Sequence, residues 1–193
     1  KKNKIKVVHV VSSVKFALKA QDAGVDAIVA EGFEAGGHNG IEETTTFCLI
    51  PDVAKAIGIP LIAAGGIIDG RGMLAAMILG ADGVQMGTRF VASQESSAHL
   101  NFKNKIIDLN EGETKLTLKE ITPVRLIKND FYHEIEKIYQ NDGDLEELKR
   151  TLGRGRAKLG MFEGDMSNGE LEIGQAASQL KHILPAREIV HKI

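Results

Sequence analysis

Two patterns of apolar and polar positions alternate through the first ninety residues. Ile5 to Val11 is a β-branched run, and Ser13 to Gly24 has the small and apolar spacing of a helix, with Ser12 or Ser13 as N-cap and Gly24 as stop. Ala27 to Ala30 is strand-like again. Phe47 to Ile57 predicts a helix closed by Gly58, and Ile59 to Ala64 a strand ending at Gly65 and Gly66. Arg71 to Leu79 predicts a helix stopped by Gly80, and Gly83 to Met86 a fourth strand. These strands are apolar on both faces, as a parallel sheet covered by helices requires. There is an internal echo: AGVDAIVAEG from Ala23 and LGADGVQMGT from Leu79 share a helix-stopping Gly, an Asp two residues later, a short apolar strand and a glycine turn. Repeated β/α units predict an α/β fold, either a doubly wound sheet or a β/α barrel, and both place ligands at the carboxyl ends of strands.

From Val91 the texture changes. Asp130 to Gln140 and Asp144 to Leu152 predict charged helices with solvated faces, and no further β-branched run stands out. LGRGRAKLGMFEGD, Leu152 to Asp165, has glycines that follow no strand, so it reads as a linker or lid and not a phosphate loop. Ile173 to Ile193 is amphipathic and is expected to dock on the sheet.

Composition narrows the function classes. A net charge of −2 and a pI near 6.3 give no broad electrostatic case for nucleic acid or an anionic membrane. No apolar run approaches the roughly 20 residues that cross a bilayer. The N-terminal KKNKIKVVHVV lacks the apolar length and cleavage site of a secretory signal. Cys48 is the single cysteine, so neither an intrachain disulfide nor a cysteine zinc cluster can form, and a reducing, cytoplasmic setting is expected. Between Phe47 and Leu49, Cys48 reads as a core residue.

The candidate chemistry sits at glycine turns. AAGGI, Ala63 to Ile67, and QMGT, Gln85 to Thr88, each put glycine where a buried strand ends, so that N–H groups turn outward; as a pair they form a nest for phosphate. EGFEAGGHNG, Glu31 to Gly40, surrounds His38 with glycines. Gly36 and Gly37 remove side chains beside a flat ligand, and His38 supplies a base near neutrality or a neutral imidazole that polarises an oxygen. The other five histidines lack such a setting. Metal binding by His38 with Glu31, Glu34, Glu42 or Glu43 lacks a supporting spacing.

Taken in order, AEGFEAGGHNG, TTT, IPLIAAGGI, DGRG, LGADGVQMGTRF and GDMSNGELEIGQ resemble the nitronate monooxygenase family, formerly the 2-nitropropane dioxygenases. The chain is most similar to that family's FMN-dependent enoyl-acyl-carrier-protein reductase II branch, from about Ile5 to the C-terminus. The resemblance implies a TIM barrel with non-covalent FMN. It implies flavin contacts at Glu31, Gly36, Gly37, Gly65, Gly66, Gln85, Met86, Gly87 and Thr88, and an active-site role for His38. Gly174 and Gln175 match a Gly-Gln pair preceding the last helix. Glu31, where many monooxygenases carry Gln, favours the reductase. NADH or NADPH is the implied co-substrate, an acyl-carrier-protein-linked or other small molecule the substrate, and a homodimer the implied assembly, with no nucleic acid, metal or membrane.

The family's first barrel strands have no counterpart here, and four strands cannot close an eight-stranded barrel. The expectation is therefore the carboxyl-terminal half of the barrel over residues 1–91, a helical lid over 92–165, and a C-terminal segment over 166–193. Such a segment alone is expected neither to fold stably nor to hold FMN. Three functions remain: NAD(P)H-dependent enoyl reduction, oxidation of alkyl nitronates with O2, and a barrel subunit that binds a phosphorylated ligand without chemistry.

Overall fold

The computed structural model describes residues 3–193. Four parallel strands, β1 (Val8–Val11), β2 (Ala27–Glu31), β4 (Leu61–Ala64) and β5 (Gly83–Gln85), lie side by side in chain order. Helices α1 (Val14–Asp22), α2 (Thr46–Ala56) and α3 (Gly70–Ile78) connect them. A doubly wound sheet reverses strand order at a switch point, whereas this one advances steadily, which is the winding of a β/α barrel. The registers Ile28↔Leu61 and Ala30↔Ala63 put matching residues on one face, where they pack with Ala17, Ala20, Leu49, Ile50 and Val53 of the helices.

The echoed aspartates have a shared task. Asp82 accepts from Leu61 N at 2.8 Å and donates its own N–H to Leu61 O at 2.7 Å. Asp26 does the same with Val7, at 2.9 and 2.7 Å. Each aspartate thus ties its own strand to the start of the preceding one.

The expectation of a wholly helical segment after Val91 is corrected. After α4 (Thr88–Val91) and α5 (Leu100–Ile107), β6 (Thr114–Thr117) and β7 (Val124–Ile127) form an antiparallel pair. A two-residue strand, β3 (Gly37–His38), adds to β7 with His38 opposite Val124. Arg125, only 2% exposed, stabilises this junction: Nε and Nη2 donate to Phe33 O at 3.1 and 2.8 Å, and the guanidinium stacks on the Phe33 ring. Helices α6 (Asp130–Gln140), α7 (Leu145–Leu152) and α8 (Arg156–Met161) follow, then a 3₁₀ turn at Gln175–Gln179 and α9 (Ala186–Lys192). The C-terminal helix packs beside α4, the helix that follows β5.

Two other expectations change. Cys48 is exposed, as is Phe47. The buried stripe of α2 is Thr46, Leu49, Ile50 and Val53, the i, i+3, i+4, i+7 spacing that turns positions 47 and 48 outward. The sheet is also not covered throughout: Val8 and Val10 of the edge strand β1 are about half exposed, as are Phe16 and Met77 on the helices. Among the described residues no helix is long and apolar enough to cross a membrane.

Asn129 holds the segment that returns to the sheet. Its Nδ2 donates to Met166 O, Ser167 O and Gly169 O at 2.9, 3.1 and 2.8 Å, and its Oδ1 accepts from Tyr132 N at the start of α6. Asn129→Ala is expected to cost about 3 kcal/mol, combining a lost N-cap with buried carbonyls left unpaired. Urea denaturation measures this directly, and an effect under about 0.5 kcal/mol, typical of a neutral surface site, would show that the segment is held by other means.

Candidate active site

At the carboxyl ends of β2, β4 and β5 a cavity of about 270 Å³ opens. It is lined by Glu31, Gly36, Gly65, Gly66, Gln85, Gly87 and Thr88, so the structure gathers seven of the expected residues at one place. The two glycine turns are built as backbone surfaces. Gly65 and Gly66 have φ of +99° and +70°, and a Cβ on Gly65 would lie 2.7 Å from Gly32 O. A Cβ on Gly87 would meet nothing within 4 Å. Among the described residues, the N–H groups of Gly66 and Gly87 donate no hydrogen bond. Thr88 Oγ1 accepts from Gly174 N at 3.1 Å and keeps its own proton to donate. Unspent N–H groups on two facing glycine turns, with a hydroxyl beside them, fit the phosphate end of FMN.

Glu31 ends β2 in this wall, and burial pushes its carboxyl above the ordinary range. Gly36 lines the cavity but is also pressed against the chain, because a Cβ there would lie 2.4 Å from Ile173 C and 2.6 Å from Gly174 N. Glu34 does not face the ligand space as a free carboxylate: it accepts from Thr46 N at 3.1 and 3.0 Å and from Thr46 Oγ1 at 3.0 Å, capping α2. The single hydroxyl proton of buried Thr46 is shared between Glu34 and Gly65 O, the latter at 2.9 Å. The Thr44–Thr46 run therefore tethers the loop after β2 to the turn after β4.

Three expected residues lie elsewhere. Met86 packs on the core beneath the sheet. Gly37, at φ +75°, does not line the cavity; the space left by its missing side chain is taken by Glu172, whose Oε2 would stand 2.6 Å from a Cβ there. His38 lines a second chamber of about 230 Å³, with Val124, Leu118 and Ile121 on one side and Leu152, Gly153, Gly155 and Arg156 on the other. Its backbone pairs with β7 in the three-stranded sheet and not with the parallel strands. Leu152, Gly153, Gly155, Arg156 and Ala157 from the start of the glycine-rich segment thus line the space beside His38.

Sequence reasoning singled out Gly174 but missed Glu172, Ile173 and Ala176, the rest of the wall between the two spaces. Glu172 borders both chambers, and Ile173, Gly174 and Ala176 border the first. Burial raises the Glu172 carboxyl and the nearby His38 pulls it back down. The signal was the alternation in GELEIG, polar then apolar, which marks an extended segment with two distinct faces. A broader polar cavity of about 690 Å³ shares Gly66 and Ala176 with the first.

The nitronate monooxygenase family profile matches residues 1–193. Among curated proteins, a probable nitronate monooxygenase of Staphylococcus saprophyticus is 36% identical over 95% of this chain and 54% of its own length. One from Staphylococcus aureus is 38% identical over 100% of this chain and 56% of its own. The chain therefore spans about half the length of these relatives. Among solved structures, FabK from Thermotoga maritima superposes with a TM-score of 0.91 at 40% identity, over 100% of this chain and 60% of FabK. A nitroalkane oxidase from Streptomyces ansochromogenes gives 0.80 at 29% identity, over 99% of this chain and 57% of that one.

Proposed function

The chain belongs to the nitronate monooxygenase family, and from that membership we propose that it forms the FMN- and substrate-binding part of a flavin-dependent oxidoreductase, an enoyl-acyl-carrier-protein reductase using NADH or NADPH. The observation that carries the flavin assignment is the cavity lined by both glycine turns with unspent N–H groups. Gly66 and Gly87 would hold the phosphate through their N–H groups, with Thr88 adding its hydroxyl, and Glu31 and Gly36 would line the space beyond. Bound FMN would supply the redox chemistry, accepting hydride from the nicotinamide and passing it on.

The protein groups would do the rest. His38 binds the thioester carbonyl or gives a proton at the α-carbon, while Glu172 between the chambers holds the imidazole in place by its charge. The apolar walls Leu118, Ile121, Val124 and Leu152 take the acyl chain and keep water from the reacting carbon. The cavity of about 690 Å³ is the approach for the nicotinamide co-substrate.

The parallel sheet is, in this reading, half of a (β/α)8 barrel whose other strands lie outside this chain, and the half-exposed apolar side chains of β1 are the edge they would cover. The full-length protein that contains the chain is accordingly the one to assay, and the family's homodimer is the assembly proposed for it.

Oxidation of alkyl nitronates with O2 is the second reading, favoured by the names of the curated relatives. One comparison separates the two. Anaerobic nicotinamide oxidation dependent on crotonyl or octenoyl thioester is expected. Oxygen uptake with propionate 3-nitronate and no thioester-dependent reaction would replace the reductase by the monooxygenase.

A further inference from the structure

A cavity of about 290 Å³ lies between the start of α3, helix α4, helix α9 and the segment that leads into α9. Its lining holds the cations Arg71, Arg89, Lys181 and Lys192, with His182 beside them, against one acidic side chain, Asp69. Asp69 is already spent: it accepts from Gly72 N at 3.0 Å and from Arg71 Nε and Nη2 at 2.9 and 2.7 Å. The cavity meets that of the glycine turns at Ile68 and the broad polar one at Gln179.

Arg89 sets this cavity apart. Only 7% exposed, it makes a single hydrogen bond among the described residues, Nη2 donating to His182 O at 3.3 Å, and has no carboxylate within 4.0 Å. No buried side-chain nitrogen among the described residues lacks a partner, so the unpaired Nε and Nη1 are not sealed in the protein; they open onto the cavity that Arg89 lines. Burial works against the guanidinium charge, and one neutral carbonyl is poor compensation for it. At the rim, Lys181 Nζ keeps two of its three protons after donating to Leu109 O at 3.1 Å, and Lys192 pairs only loosely with Glu188, at 3.9 Å.

We propose that this cavity is a second anion site, distinct from the glycine turns, in which Arg89 holds a phosphate group and Lys181 and Lys192 add positive charge at the rim. A guanidinium suits that ligand because its paired N–H donors match two oxygens of one phosphate. Two sources carry this chemistry. A nicotinamide dinucleotide is one, resting on the approach assigned above to the broad polar cavity, since Gln179 lines both spaces. Inorganic phosphate is the other.

The test is calorimetric titration of inorganic phosphate into the full-length protein with its flavin bound. Bound flavin occupies its own phosphate site, so uptake reports a different one. One phosphate per chain is expected. Arg89→Lys keeps the charge but loses the paired donors, and should weaken binding by about 10-fold or more. Lys192→Ala, at an exposed position that folding does not depend on, should weaken it by roughly 2- to 5-fold. NADPH and NADH are then added as competitors. Displacement by NADPH alone would assign the site to the 2′-phosphate, displacement by both to the pyrophosphate, and displacement by neither to free phosphate. No uptake by wild type would overturn the proposal, as would wild-type affinity in either variant. So would a structure of the full-length protein with one of its own carboxylates seated on Arg89. The titration reads binding and not turnover, so a protein that reduces no enoyl thioester would lose the proposed function and keep this site.

Discussion

His38→Ala is expected to lower the turnover of the full-length flavin-loaded protein by about 100-fold or more if the imidazole moves a proton in the transition state, the usual effect of removing a general acid or base. The loss should be smaller if it only holds the thioester carbonyl. In both cases flavin binding and stability should stay close to wild type. His38 is exposed at its end of β3, and its tie to the fold is backbone pairing with Val124, which alanine preserves. Exposed side chains of this kind change stability by no more than about 0.5 kcal/mol. A variant that retains flavin but turns over normally would remove His38 from the chemistry. A wild-type protein that binds a phosphorylated ligand and has no turnover to lose would return the chain to the non-catalytic reading.

Gly36→Ala is expected to have the largest effect on the fold. Its added Cβ would fall 2.4 Å from Ile173 C and 2.6 Å from Gly174 N, and these are backbone atoms that cannot rotate away. The facing extended segment is held on one side by Gln175 N donating to Glu34 O at 2.9 Å and Gly174 N donating to Thr88 Oγ1 at 3.1 Å, and on the other by Ile127 N donating to Leu171 O at 2.9 Å. Overpacking of this type costs about 3 kcal/mol at the upper end of its usual range, roughly a 10 °C fall in Tm for a protein of this size. Because Gly36 and Gly174 both line the cavity proposed for flavin, the same displacement should release flavin. Gly58→Ala is the control, since a Cβ there meets only Gln21 Oε1, at 4.0 Å. Differential scanning calorimetry with flavin absorbance follows both effects. Equal Tm values for the two variants would show that the Gly36 contact relaxes freely.

The parallel sheet was legible because its information is local. Ser13 and the stops at Gly24 and Gly80 set helix ends within a residue or two, and the glycines after β4 and β5 marked the ligand end of the sheet before any neighbour was known. What the sequence hid depends on partners far along the chain. TKLT and VRLI did not stand out as strands, since each carries a cation, and Arg125 is buried only because Phe33 O, 92 residues away, accepts from it. The same long-range pairing leaves His38 outside the cavity of the glycine turns and in its own chamber. Phe47 and Cys48 failed differently. Their hydrophobicity was evident, but which side of α2 meets the sheet is set by Leu49, Ile50 and Val53 together, not by any one residue. The alternation of Glu170, Leu171, Glu172 and Ile173 was open to inspection from the start; only the folded chain showed that Glu172 lines both cavities and Glu170 one of them.

The central claim, that the paired glycine turns hold the phosphate of FMN, is tested most directly by a crystal structure of the full-length protein purified with its flavin. The account predicts phosphate oxygens within hydrogen-bond reach of the Gly66 and Gly87 N–H groups and the Thr88 hydroxyl. A flavin phosphate bound away from these turns would contradict it.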